Sequence, residues 1–289
     1  MSVDAFGRHR SLLFTVAYEM LGSVSDAEDV VQETWLRWAN VDHAEVRDPR
    51  AYLVRIVTRE ALNRLRTMAR RREEYVGEWL PEPVSTGPDV AADVELADSV
   101  SIAMLTVLET LAPAERAVFV LRDVFEISYD EIAEAVGKSP AAVRQIAHRA
   151  REHVAARRPR MSVSTAEQQE AVDRFLAAIR GGDLRGLLDV LAPDVVIVAD
   201  GGGFVSAARR PIAGADRVAR LLIAGFSSLD FELTAVWLNG APAGRIDIGG
   251  ALDSVVSLAV EDGRITRIYA VRNPHKLTAL DGMAALTRT

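Results

Sequence analysis

The residues able to do chemistry in this chain are few, and those of the last third raise the sharpest question. Residues 195 to 204 read VVIVADGGGF, a strand-like apolar run that ends in Asp200 and three glycines. Such a stretch can be a phosphate cradle, an active-site loop or a turn. A cradle needs its glycines spaced G-x-G-x-x-G between a strand and a helix, or followed by Lys-Ser/Thr, so that backbone N–H groups converge on phosphate. Here Gly201, Gly202 and Gly203 run on into VSAARRPIAG, so the cradle is excluded. A turn needs only an Asp that accepts from nearby backbone and glycines that adopt positive φ. For acid–base work the candidates are Asp200, Asp247, Asp253, Tyr269 and His275, because burial can tune such groups toward proton transfer. No acid and base among them occur at a spacing that obviously places them together. The chain has no cysteine, which removes disulfides, thiolate metal sites and cysteine nucleophiles. No catalytic residue, cofactor or metal is therefore expected in this part, and a ligand pocket or a protein-contact module remains.

The elements that must position these residues follow from periodicity. Val172, Phe175, Leu176 and Ile179 form one amphipathic helix, and Leu184, Leu187, Leu188 and Leu191 the next. Strands are predicted at 195–199, 231–238, 254–260 and 264–271, with Asn239-Gly240 and Asp262-Gly263 as hairpin turns, since both central residues of a type I′ turn need positive φ. The last third is thus an α+β domain with an antiparallel sheet.

The rest of the chain is read by charge. The 289 residues are long enough for two or three domains. Their apolar stretches are broken well short of the roughly 20 residues needed to cross a bilayer, and the start, MSVDAFGRHR, has no apolar signal core. A cytoplasmic protein with no membrane contact is expected. The net charge of −7 is unevenly spread. Residues 50–72 hold eight Arg against Glu60, and 138–160 hold seven Lys or Arg against Glu152. Between them, residues 73–135 hold fifteen acids against two Arg. Two basic stretches around an acidic one suggest two polyanion contacts joined by a negative spacer.

Residues 11–72 read as helical, and Ser25 with Glu28 gives a capping-box pattern that would start a helix. That helix puts Ala27, Val30, Val31, Thr34 and Trp38 on one face and Asp26, Asp29 and Glu33 along another. The next, residues 48–72, aligns Arg55, Arg59, Asn63, Arg66 and Arg70 opposite Leu53, Ile56, Val57 and Leu65. Three prolines and two glycines make 77–100 read as a linker. After it, a short helix with Ile132, Ala133 and Val136 breaks at Gly137, and a second begins at Ser139 and Pro140. Val143, Ile146 and Ala147 would pack inward, leaving Arg144, Gln145, His148 and Arg151 outward. This is helix-turn-helix geometry, in which the second helix enters the major groove; an ordinary helical hairpin with a solvated basic face has the same pattern.

Together, residues 5 to about 157 resemble the extracytoplasmic-function sigma factors. AEDVVQETWLRW is similar to the region-two helix that docks on the clamp of core RNA polymerase, PRAYLVRIVTREALNRLR to the segment that opens and reads the minus-ten element, and residues 108–152 to region four, which reads the minus-thirty-five element. The resemblance implies that Asp26, Asp29, Gln32, Glu33 and Trp35 contact core polymerase, with the beta-prime clamp and beta flap as docking sites. It implies that Tyr52, Arg55, Arg59, Asn63 and Arg66 meet minus-ten DNA, and that Ser139, Arg144, Gln145, His148 and Arg151 meet minus-thirty-five DNA. The physics agrees, since Arg suits phosphate and single-stranded bases want stacking surfaces such as Tyr52 or Trp38; the apolar stripe places Trp38 in the core.

The final third resembles the SnoaL-like members of the NTF2-like cone fold, which some of these sigma factors, the sigma factor J type among them, carry at the C-terminus. WLPEP (Trp79, Leu80, Pro81, Glu82, Pro83), DGGG (Asp200 to Gly203) and NPHKL (beginning Asn273, Pro274) match signatures of that subgroup. Phe204 and His275 depart from it, standing where Lys and Asp are usual. The expected organisation is region two over 1–75, a linker over 76–100, region four over 101–160 and the SnoaL-like domain over 161–289. The function implied is promoter-directed initiation modulated by the last domain, whose pocket is a candidate site for a small-molecule ligand. The rivals are a stand-alone helix-turn-helix activator, which leaves 25–72 unexplained, and a cone-fold enzyme fused to a DNA-binding region.

Overall fold

A computed structural model describes residues 2–157 and 163–288, with no description of the side chains of residues 2–4, 69–73 and 281. The Arg70 side chain and the predicted boundary at Pro159 therefore lie outside the described residues. The chain divides into two units, residues 1–73, 104–158 and 285–289, and residues 74–103 and 159–284. No helix among the described residues is long and apolar enough to cross a membrane.

The first unit is helical: α1 (Ser2–Leu21), α2 (Val24–Ala39) and α3 (Pro49–Glu73) precede α4 (Pro88–Ala92) and α5 (Val94–Val100) of the second unit, and α6 (Ile102–Leu108), α7 (Pro113–Phe119), α8 (Tyr129–Val136) and α9 (Pro140–Ala155) follow. The division falls inside α6. Helix α2 starts earlier than the Ser25–Glu28 pattern predicts. Gly22, at φ +65°, leaves α1, and the Ser23 side chain accepts from Asp26 N at 3.2 Å. A left-handed glycine followed at once by a capping residue fixes the start before Ser25 can, and Glu28 pairs with Arg10 instead. The buried face of α2 is Ala27, Val30, Val31, Thr34 and Trp38, the last 1% exposed. In the second half of the unit, Arg116 of α7 is buried, its Nε donating to the Glu19 carbonyl of α1 and its Nη1 to Glu109.

The second unit is a six-stranded sheet with helices. Its strands are β1 (Leu191–Asp200), β2 (Ile212–Ala213), β3 (Phe231–Leu238), β4 (Ala241–Ile248), β5 (Ala251–Glu261) and β6 (Arg264–Val271), in the order β2-β1-β6-β5-β4-β3. The predicted hairpins are present, with Asn239 and Gly240 at φ +52° and +72°, and Asp262 and Gly263 at +49° and +71°. A third, at Gly249-Gly250, joins β4 to β5. The expectation of a purely antiparallel sheet needs correction, because β1 pairs with β6 in parallel. The chain leaves β1, forms the short β2 and α12 (Ala215–Phe226), and builds three successive hairpins before β6 returns beside β1.

Both faces of this sheet are covered. On one, α10 (Thr165–Arg180), α11 (Leu184–Val190) and α12 pack through Val172, Phe175, Leu187 and Val218 against Ile197, Val256 and Ile268. On the other, Val198, Val255, Ala259, Tyr269 and Val271 bury Leu80, Ile102, Ala103 and Leu277. The stretch predicted as a linker is therefore a folded part of the sheet unit, and 88–100 forms α4 and α5. The physical reason is the apolar second face of β5 and β6, which must be covered.

Candidate functional site

Asp200 is the centre of a buried cluster within the sheet unit. It ends β1, and its carboxylate is fully buried. Oδ1 accepts from Tyr75 Oη at 2.6 Å and from Gly202 N at 3.0 Å. Oδ2 accepts from Leu80 N at 2.9 Å and from Lys276 Nζ at 2.7 Å. Lys276 is 6% exposed, donates also to the Leu80 carbonyl, and lies 3.8 Å from the Trp79 ring centroid and 5.0 Å from that of Tyr75. Asn273 Nδ2 donates to Tyr75 Oη at 2.8 Å, and the Asp200 carbonyl accepts from the backbone N–H groups of Arg272 and Asn273. Four donors on one carboxylate satisfy its charge without water. Each carboxylate oxygen accepts two hydrogen bonds, so the cluster ties Tyr75 and Leu80 to the end of β1. Burial and the bond to Asp200 push the Tyr75 hydroxyl well above its ordinary range.

The glycines are required here. Gly202 has φ +60°, and a Cβ on it would collide with the Asn273 amide; Gly203, at φ +78°, faces Val76. The loop is both a turn and half of a clasp, holding the WLPEP segment against the NPHKL segment. Leu80, Pro81 and Pro83 are buried, Trp79 and Glu82 half-buried, and Pro274 exposed. Phe204 and His275, the two departures from the subgroup pattern, meet edge to face at 4.4 Å. A second hold lies at Asn239-Gly240, where the Asn239 side chain accepts from Val84 N and donates to the Val100 carbonyl, while Gly240 N donates to Thr86 Oγ1. Sequence reasoning missed Tyr75, Asn239 and Lys276 as members. Lys276 sits within a quoted motif and Asn239 reads as a hairpin residue, but Tyr75 carries no signal of its own.

The acid–base candidates are dispersed. Asp247 pairs with Arg245, whose hydrogen bonds hold its carboxyl below the usual range. Asp253 pairs with Arg272. Tyr269 is in the core, where burial pushes its hydroxyl up to about 12, and His275 is exposed.

In the helical unit, Asp29, Gln32 and Glu33 are exposed along α2 beside Leu36, a large apolar side chain 56% exposed. Arg64 of α3 bonds both Asp26 and Asp29, at 2.5 and 2.6 Å, and Trp35 is half-buried edge-on to Phe6. Along α3, Asn63 and Arg66 are exposed and bonded to each other, and Arg55 lies 5.3 Å over Tyr52. Arg55 also pairs with Glu134 of α8 at 3.0 Å, and Arg59 donates to the carbonyls of Glu134 and Ala135.

The turn between α8 and α9 is built from local signals. Ser128 and Glu131 form a capping box, Gly137 ends α8 at φ +68°, and Ser139 Oγ accepts from Ala142 N with Pro140 opening α9. Val143, Ile146, Ala147, Ala150 and Val154 are buried, and Arg144, Gln145 and His148 exposed. Arg151 is exposed as well and reaches Asp123 at 2.6 Å, with Tyr129 Oη at 3.5 Å. The bond to Asp123 raises its already high pKa.

Residues 5–72 match the Sigma-70 region 2 family and residues 101–154 the Sigma-70, region 4 family. The chain is 38% identical over 293 residues to the ECF RNA polymerase sigma factor SigJ of Mycobacterium tuberculosis, covering 96% of this chain and 94% of that protein. It is 34% identical over 279 residues to the probable ECF sigma factor SigI of the same organism, with the same coverage. The crystal structure of Mycobacterium tuberculosis SigJ superposes with a TM-score of 0.78 at 34% identity, over 96% of this chain and 99% of that one. With both sigma regions in order and similarity along nearly its whole length, the chain belongs to the extracytoplasmic-function sigma factors, which bind core RNA polymerase and direct it to promoters.

Proposed function

We propose that the helical unit engages polymerase and promoter through separate faces and that the sheet unit controls it through the segment joining region two to region four. Asp29, Gln32, Glu33 and Leu36 suit the beta-prime clamp, since a ring of charge around one exposed apolar side chain matches the anatomy of a protein interface. Tyr52, Arg55, Arg59, Asn63 and Arg66 serve the minus-ten strand, and Arg144, Gln145 and His148, with the Ser139 N-terminus, the minus-thirty-five duplex, while region four meets the beta flap. Arg151 orients α9 through Asp123. The regulatory part is carried by one observation: residues 75–86 are held on the sheet by Asp200, Lys276 and Asn239. Whatever loosens those bonds frees the chain between the two DNA-reading regions. The domain's pocket is a site where a small molecule would do so.

The test is initiation by core polymerase supplied with full-length variants. Asp29→Lys with Glu33→Lys should weaken polymerase binding by tenfold or more, on the order expected for reversed charges at an interface. Arg144→Ala should leave polymerase binding intact and cut initiation by about tenfold, as expected for one lost base contact. Asp200→Asn should change initiation with both DNA-reading faces untouched. Wild-type behaviour of all three would remove the assignment.

A further inference from the structure

The sheet unit contains a cavity of about 550 Å³ between one apolar face of the sheet and α10 and α12. That lies in the range that holds a drug-sized molecule. Phe175, Ile197, Phe226, Ile246 and Ile268 form its walls, and Leu221 and Leu229, each 42% exposed, stand at its edge. Among the described residues, the ionisable groups lining it are Asp253 and Arg272. Their pairing is bidentate: Arg272 Nη2 meets Asp253 Oδ1 at 2.8 Å and Nε meets Oδ2 at 3.1 Å, while Nη1 donates to the Ser206 carbonyl.

We infer that this cavity binds a neutral, mostly apolar molecule bearing a hydroxyl group, with the hydroxyl at the Asp253–Arg272 pair. This rests on the pocket reading above and adds the ligand's class. Apolar walls select an apolar body by area removed from water. The ion pair decides the polar end. An anionic ligand that accepted a spare Arg272 N–H would sit beside the Asp253 carboxylate with Arg272 already neutralised by it, and a cation would meet the mirror problem. A hydroxyl donates to a remaining lone pair of Asp253 and accepts from Arg272 without disturbing either bond.

The full-length protein should be titrated with Nile red, a neutral apolar dye, and the dye then displaced by 2-naphthol or by 2-naphthoate at neutral pH. Saturable, blue-shifted emission is expected, with naphthol displacing the dye at about tenfold lower concentration than naphthoate, the scale of one charge-assisted hydrogen bond. Asp253→Asn, which frees Arg272, should erase or invert that preference. Ala270→Phe and, independently, Ala199→Leu should abolish dye binding while thermal unfolding shows a folded sheet unit. Absence of saturable binding, or binding that survives in either folded filling variant, overturns the pocket reading itself. Binding in the pocket with equal or better displacement by naphthoate, or a preference that Asp253→Asn leaves intact, overturns only the neutral-ligand class.

Discussion

Asp200 shows how one residue can look catalytic in sequence and be structural in space. An acid before three glycines at a strand end is where an active-site loop would lie, yet its two oxygens are filled by Tyr75, Leu80, Gly202 and Lys276. Asp200 and Lys276 are buried together, so removing one partner leaves an uncompensated charge. Asp200→Ala should cost about 3–5 kcal/mol of stability in the sheet unit, while Asp200→Ala with Lys276→Met should recover much of the loss, because breaking a buried pair is worse than replacing it. Denaturant unfolding of the two variants separates these effects, and equal losses would show the pair is not coupled. Of this cluster, the sequence exposes Asp200 and the glycines through turn chemistry. Tyr75 is invisible, since nothing in its neighbours says that a chain 125 residues away will present a carboxylate.

At the scale of elements, strong local signals are read correctly and tertiary covering is not. The Asn-Gly and Asp-Gly hairpins and the α8–α9 turn form where their φ requirements place them. Strand β4 has no counterpart among the predicted strands, since Pro242 and Gly244 both disfavour a strand interior. Pro242 is tolerated since pairing to β5 begins only at Ala243, and Gly244 has no room for a Cβ against Leu176 of α10. The linker reading fails for the same kind of reason: prolines and acids describe a segment's local freedom, not the apolar sheet face waiting for it. A similar covering occurs within the helical unit, where α8 occupies Arg55 and Arg59 of the proposed minus-ten face. Glu134→Lys should release Arg55, while Arg59 keeps its bonds to the main-chain carbonyls, and raise affinity for labelled single-stranded DNA. The pair is largely solvated, so a gain of about two- to fivefold is expected, shrinking as salt screens it. Fluorescence anisotropy across ionic strength measures this, and an unchanged affinity at low salt would mean that α8 does not compete with DNA.

At the scale of the whole molecule, two units with separate cores predict two unfolding transitions, and the buried tyrosines predict how they part with pH. Tyr75 and Tyr269 both lie in the sheet unit, and both hydroxyls are raised, chiefly by burial. A phenol raised in the folded state stays protonated there after the unfolded chain has begun to lose its proton near pH 10. The stability this represents is therefore complete below about pH 10 and is lost as pH rises toward the folded value. For Tyr269, shifted from 10.0 to about 12, the loss would reach about 3 kcal/mol if the whole interval were crossed. Calorimetry from pH 8 to 11 should show the sheet unit's transition falling above pH 10, and Tyr75→Phe and Tyr269→Phe should each flatten that fall even where they lower stability at pH 8. Because Tyr75 belongs to the clasp, alkaline conditions and Tyr75→Phe should both free residues 75–86 before the sheet itself unfolds, seen as amide exchange rising in that segment ahead of β5 and β6. Simultaneous exchange across segment and sheet would mean that the clasp is an inseparable part of the sheet's own folding, leaving nothing for a regulatory signal to release.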